Sequence, residues 1–198
     1  MEIKRFLEKL SSSDPTPGGG SASALAGALS ASLISMVARL SSKQKGMEEI
    51  RRKVLAIQKR LFRAIDEDAK SYDAVVKSFR LPKDTERKRL YRSRIIQKAY
   101  QNATVTPQWV CQHSIQLLDY CRALVLRGNP NTVSDVGVAA FLADTALKGG
   151  LLNIRINLVS MTDQSFVKKM HLLMKKTEKR RNQLIGKIEK MLGRNFLI

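Results

Sequence analysis

Apolar residues recur along this chain at spacings of three and four, and no segment shows the sustained alternation of a strand. Ile3, Phe6, Leu7 and Leu10 predict a short amphipathic helix at the start, without the apolar core and small-residue cleavage site of a secretory signal. Ser21 to Leu40 is made almost wholly of Ala, Ser, Gly and Leu, with Arg39 its one charge. It has the length of a membrane span, but its five serines and its reliance on Ala favour a buried central helix. Small residues at Ala24, Gly27, Ala28, Ala31 and Ser35 permit close backbone approach there. Gly46 to Arg80 places Ile50, Val54, Ile57, Leu61, Ile65, Val75 and Phe79 at helical spacing, as one long helix or two joined ones. Leu81-Pro82 stops it, and Asp84 or Thr85 caps a highly charged helix running toward Thr104. Thr106-Pro107 restarts another, which ends at Arg127-Gly128. Val136 to Leu147 predicts a small apolar helix, interrupted or bent by Gly149-Gly150 before Asn153-Ile154-Arg155-Ile156-Asn157. Thr162 or Asp163 then caps a basic C-terminal helix over about 162–192.

The pattern predicts an all-α fold, a single domain over 1–198 built as a bundle of long helices. The segments 21–40 and 136–147 are apolar nearly all round and need cover on every side. One bundle of this size hides one such helix with ease and two with difficulty, so a homodimer that covers the rest is expected.

Charge adds an unusual element. Lys and Arg number 36 against 17 Asp and Glu, a net +19 with an isoelectric point near 10.3. Such an excess implies an anionic partner: nucleic acid, an acidic membrane face or a polyanionic substrate. The cations fall in three blocks, namely Arg39, Lys43 and Lys45, then Arg87 to Arg94, then the C-terminal helix. Cys111 and Cys121 lack Cys or His companions at metal spacing, so neither a metal site nor a disulfide framework is expected. Reduced thiols in a cytoplasmic protein are the corresponding expectation. His113 and His171 have no carboxylate or serine partner in sequence, which argues against a histidine-centred triad.

Three polar constellations interrupt this apolar scaffold. Asp14-Pro15-Thr16-Pro17-Gly18-Gly19-Gly20-Ser21 opens the first apolar helix. Its glycines let a ligand approach the backbone, and Ser21 is a candidate N-cap, so the helix start suits an anion or a polar heterocycle. A turn before a tightly packed helix accounts for the same residues. No Gly-Lys-Ser/Thr follows, which excludes a phosphate-loop signature. Asn129, Asn131, Ser134 and Asp135 cluster at another helix start, where Ser134 or Asp135 also serves as a plain cap. Asn153 and Asn157 share one helix face while Arg155 points elsewhere. Asp66 and Asp73, with Lys70 between them, form a solvated charge row, whereas Asp68 and Tyr72 stand side by side one turn apart.

The glycine loop, Asp66-Glu67-Asp68-Ala69-Lys70-Ser71-Tyr72, Ala103 to Pro107, Asn129 to Ala140 and Leu151 to Leu158 together resemble the cyclodeaminase/cyclohydrolase family of tetrahydrofolate one-carbon enzymes. The resemblance runs in unbroken order from about Phe6 to about Leu158. It implies a homodimer and a reaction that forms or opens the one-carbon bridge between two folate nitrogens. No metal and no cofactor beyond the tetrahydrofolate substrate are implied. On the family-matching positions, Asp135 with Asn131 is expected to move or orient the proton. Asn129, Ser134, Asn153 and Asn157 would hold the pterin edges, and Pro17, Gly18, Gly19, Gly20 and Ser21 would supply backbone contacts. Arg39 and Lys43 would catch the glutamate tail of folate, single or polyglutamylated. The sequence leaves cyclodeaminase and cyclohydrolase unseparated. A basic nucleic-acid-binding or non-catalytic folate-binding protein on the same fold is the alternative. Against the former stand the absence of helix-turn-helix spacing and an aromatic content of only 6%. No membrane association is expected.

Overall fold

The computed structural model describes residues 2–196 as seven helices: α1 (Ile3–Leu10), α2 (Gly19–Leu40), α3 (Met47–Phe79), α4 (Glu86–Ala103), α5 (Val105–Arg127), α6 (Val133–Val159) and α7 (Gln164–Phe196). No strand occurs among the described residues. α2 runs through the middle, with α3 on one flank, α6 on the other and α5 behind; α7 crosses α5 and α6, and α4 leans on α3.

The serines of α2 tie this apolar helix to its neighbours. Ser30 donates to the Ala139 carbonyl of α6 at 2.7 Å, and Ser21 to the Ile65 carbonyl of α3 at 2.8 Å. Ser23 and Ser32 donate back to carbonyls one turn earlier. By length and composition alone Gly19–Leu40 is long and apolar enough to cross a membrane, yet more than half of that stretch is buried inside the bundle.

Most boundaries follow local chemistry. Thr85 accepts from the Lys88 N–H and caps α4, Pro82 follows the end of α3, and Asp163 accepts from the Phe166 N–H at the start of α7. α3 is a single helix. Only Thr104 separates α4 from α5, with Pro107 in the first turn of α5, where a missing N–H costs nothing.

α6 departs from expectation. It continues unbroken through Gly149-Gly150 to Val159. The glycines serve packing: a Cβ on Gly149 would stand 2.0 Å from Ser23 Oγ, and one on Gly150 would stand 2.7 Å from Cys111 Sγ. The pair therefore lets α2 and α5 press against α6 and does not end the helix.

The two apolar helices stay only partly covered. Leu29, Met36 and Leu40 on α2, and Val138, Phe141, Leu152 and Ile156 on α6, are exposed in one chain. On α6 they fall in two pairs near the two ends of the helix, Val138 with Phe141 and Leu152 with Ile156, separated by the exposed Thr145 and Lys148.

Candidate active site

The N-terminus of α2, the second half of α3 and the C-terminal ends of α4 and α6 surround a cleft of about 420 Å³. Gly18, Gly19 and Gly20 form one wall, Asp68 and Tyr72 a second, and Tyr100, Asn153, Ile156 and Asn157 the remainder. The glycine loop and the Asn153/Asn157 pair, over 130 residues apart in sequence, thus meet in one place.

Asp68 stands at the centre of this geometry. A Cβ on Gly20 would lie 2.1 Å from Asp68 Oδ1, so the carboxyl packs directly on the bare backbone at the start of α2. Ser21 Oγ lies 3.2 Å from Asp68 Oδ2, and the Ser21 backbone N–H faces the same carboxyl. Burial raises the Asp68 pKa above its ordinary value, and the polar groups of Ser21 only partly oppose that rise. The result is a carboxyl of raised pKa set against Ser21 inside a cleft.

Ser21 consequently differs from the expected N-cap. Gly18, with extended backbone, takes the cap position, and Ser21 lies buried in the first turn. The anion that this helix start attracts is the chain's own Asp68.

Asn153 donates to the Gly149 carbonyl at 2.8 Å, and Asn157 donates to the carbonyls of Asn153 and Ala103. Their amide nitrogens are thereby fixed, and the amide oxygens remain as acceptors for a ligand. Arg155 points away, as the helical spacing predicts, and pairs with Glu178 on α7. Among the described residues no group of three His, Cys, Asp or Glu side chains is placed to share a metal ion.

The remaining expected residues lie elsewhere. Asn129 accepts from the Asn131 N–H at 3.0 Å and shapes the turn before α6, while its own N–H donates to Ser41 Oγ at the end of α2. Asp135 lies in the first turn of α6 and makes no cap bond, and Ser134 is exposed beside it. Eighteen residues of helix put Asp135 about 27 Å from Asn153. Arg39 and Lys43 share that distant end, about 30 Å along α2 from the glycine loop. Within one chain, then, Pro17, Gly18, Gly19, Gly20, Ser21, Asn153 and Asn157 gather at or beside the cleft. Asn129, Asn131, Ser134, Asp135, Arg39 and Lys43 form a second group at the opposite end.

The sequence held a signal for Asp68 that spacing alone reveals. Leu61, Ile65, Asp68, Tyr72 and Val75 follow one another by three or four residues, so the carboxylate occupies a position in the buried stripe of α3. Asp66 and Asp73 are exposed, the solvated row expected of them.

The chain is similar to several known proteins over most of its length. The chain is 34% identical to a methenyltetrahydrofolate cyclohydrolase of Methylorubrum extorquens, over 83% of this chain and 82% of that one. It is 30% identical to the formimidoyltransferase-cyclodeaminase of Mus musculus over 85% of its own length, but it spans only 32% of that longer protein. The crystal structure of a formiminotetrahydrofolate cyclodeaminase from Thermotoga maritima superposes with a TM-score of 0.87 at 27% identity, covering 97% of this chain and 96% of the other. The sequence profile of formiminotransferase-cyclodeaminase matches residues 2–176, nearly the whole chain, and the protein belongs to that family.

Proposed function

We propose that this protein converts a one-carbon derivative of tetrahydrofolate in the cleft around Asp68, as a formimidoyltetrahydrofolate cyclodeaminase or a methenyltetrahydrofolate cyclohydrolase. The observation that carries this reading is a carboxyl of raised pKa, held against the start of α2 in one cleft with two asparagines whose amide nitrogens are tied to backbone carbonyls. In the cyclodeaminase direction, one folate N–H attacks the formimino carbon and its proton passes to the imine nitrogen; the carbon–amine bond then breaks as protonated Asp68 gives its proton to the departing ammonia. In the cyclohydrolase direction, water adds to the methenyl carbon and Asp68 accepts the proton that water loses; Asp68 returns it to the leaving folate nitrogen as the carbon–nitrogen bond breaks, and the carbinol hydroxyl proton goes to solvent, leaving a formyl group. The one-carbon unit is already electrophilic, so these steps need positioning and proton transfer, with no metal or redox cofactor. Asn153 and Asn157 oxygens would accept from the N–H groups of the pterin.

The exposed apolar face of α2 and α6 supports a homodimer. If the exposed α6 faces pack antiparallel, the Asp135 end of one copy lies beside the cleft end of the other. The partner's Asn131 and Asp135 would then complete the open wall of the site, uniting the two polar groups across two chains. Within one chain, Arg89 is better placed for the folate tail than Arg39 or Lys43, because it lies on the Tyr100 side of α4 about 16 Å along the helix.

The test is absorbance of the methenyl compound with and without purified protein, started from either substrate, together with ammonia release. Turnover of neither folate would overturn the proposal. The dimer has its own measurement: Asp68→Asn and Asp135→Asn chains, each inactive alone, are dissociated, mixed and reassociated. Shared sites return about a quarter of wild-type activity, because half the dimers carry one intact site. No recovery would remove the partner's Asp135 from the site.

A further inference from the structure

The folate site uses one side of the α3–α4 hairpin and leaves the other side unexplained. α4 holds six cations against one acid, a density that no single folate tail requires. Nine residues, two and a half turns, separate Tyr91 from Tyr100, so Tyr91 faces away from the cleft. Arg87, Leu90, Tyr91 and Arg94 follow at spacings of three, one and three and share this outer face. Together with Glu86 at the rim they line a shallow concavity of about 450 Å³, in which Leu90 and Tyr91 are each 59% exposed and the two guanidinium groups outnumber the one carboxylate.

Neighbouring cations show why this face is unusual. Lys88 is paired with Asp84, and Arg92 donates to the Phe79 carbonyl and lies over the Phe79 ring, so both have structural duties. Arg87 and Arg94 have no ion pair or hydrogen bond among the described residues. A large aromatic ring held in water between two unpaired guanidinium groups has little value for folding. It does match a phosphate strand whose bases are unstacked, since guanidinium groups meet phosphates and a Tyr face takes a base. A membrane surface fits less well, because one helix face offering two apolar side chains lacks the continuous apolar stripe of an interfacial helix.

We infer that the outer face of α4, centred on Tyr91 between Arg87 and Arg94, binds single-stranded nucleic acid. This surface is separate from the folate cleft, and the chain carries both.

Fluorescence anisotropy of the full chain with a labelled mixed-sequence RNA of about twenty nucleotides, over rising salt, tests the inference. Arg87→Gln with Arg94→Gln should weaken binding at least tenfold at low salt and lower the salt slope by about 1.4. Tyr91→Ala should weaken it by roughly 5- to 150-fold with the salt slope unchanged. Lys168→Gln with Lys169→Gln removes the same charge from α7 and should change affinity less than about threefold. A duplex of equal length should bind more weakly, because its bases cannot stack on Tyr91. The inference is overturned if the α7 control weakens binding as much as the α4 variant, if Tyr91→Ala is neutral, or if duplex and single strand bind alike. Capture by phosphatidylserine vesicles with no RNA binding would also overturn it. Folate turnover of the α4 variants stays at the wild-type level, which keeps this test independent of the folate proposal.

Discussion

The two ends of α6 carry polar residues of the same kinds, and the fold treats them oppositely. At the N-terminal end, Asn129 spends its side chain on shaping a turn, Asn131 and Ser134 stand at the surface, and Asp135 is half-buried with no hydrogen bond among the described residues. At the C-terminal end, Asn153 and Asn157 are half-buried, their nitrogens are tied to carbonyls, and both line a cleft that also holds the half-buried Asp68. A cluster of Asn and Asp at a helix start is cheap for any chain to build, because local turn chemistry satisfies it. Polar groups inside an apolar helix must instead be matched by neighbours from other elements, and such matching marks a prepared site.

The largest effect that would sharpen this contrast is expected from Asp68→Asn. Turnover should fall by roughly 10²- to 10⁴-fold, the range of a lost acid–base group. Stability should move the other way. Because burial raises the Asp68 pKa, ionising this group costs more in the folded than in the unfolded chain. The cost is absent below the unfolded pKa, accrues as pH rises through the folded pKa, and persists above it. Asp68→Asn should therefore raise the thermal midpoint at neutral pH, with the gain shrinking in acid. A midpoint that falls at neutral pH while rising in acid would contradict the assignment.

Gly20→Ala should come next. Its Cβ would displace the Asp68 carboxyl, so turnover should drop at least about 100-fold while the midpoint shifts little, because a short side chain can swing aside. Wild-type turnover in this variant would show that Asp68 need not sit against α2. Asn157→Ala removes an acceptor and a helix–helix tie, and should raise KM by roughly tenfold, whereas Asn129→Ala should cost about 1 kcal/mol of stability through its turn. Equal KM effects from the two would erase the distinction between the ends.

A control for the scaffold is Arg181→Gln. Arg181 pairs with Asp144, whose carboxyl is pushed up by burial but pulled further down by Arg181 and Lys148. That stabilisation is present above the ordinary carboxylate pKa and lost as pH falls through the lowered one. The substitution should cost about 2 kcal/mol at neutral pH in denaturant unfolding and leave kcat unchanged. The smallest effect concerns the folate tail. Arg89→Gln should reduce the advantage of a polyglutamylated over a monoglutamylated substrate by about threefold at low salt and not at high salt. Loss of that advantage through Arg39→Gln instead would place the tail at the far end.

The helices were legible because their signals are local: periodicity, Pro82, Thr85, Asp163 and Gly128 each act on their own neighbourhood. The unbroken course of α6 was not, since Gly149 breaks a helix in isolation and permits contact with Ser23 in the bundle. The site was half legible for the same reason. The glycine loop and the Asn pair stand out against apolar surroundings, but their union with Asp68 depends on how α3 lies against α2. The distance between Asp135 and that union is set by helix length, which a motif does not display.

The bond from Ser30 to the Ala139 carbonyl also has a temporal meaning. During synthesis α3, which covers one flank of α2, follows it directly, but α6 comes much later. At ordinary elongation rates the 109 positions from Ser30 to Ala139 take roughly 5–20 s to make. For that interval one flank stays open on a helix with the dimensions of a membrane anchor. Its five serines then have a duty distinct from packing: they lower the hydrophobicity of the waiting segment, so that it can remain in water until its partner helix arrives.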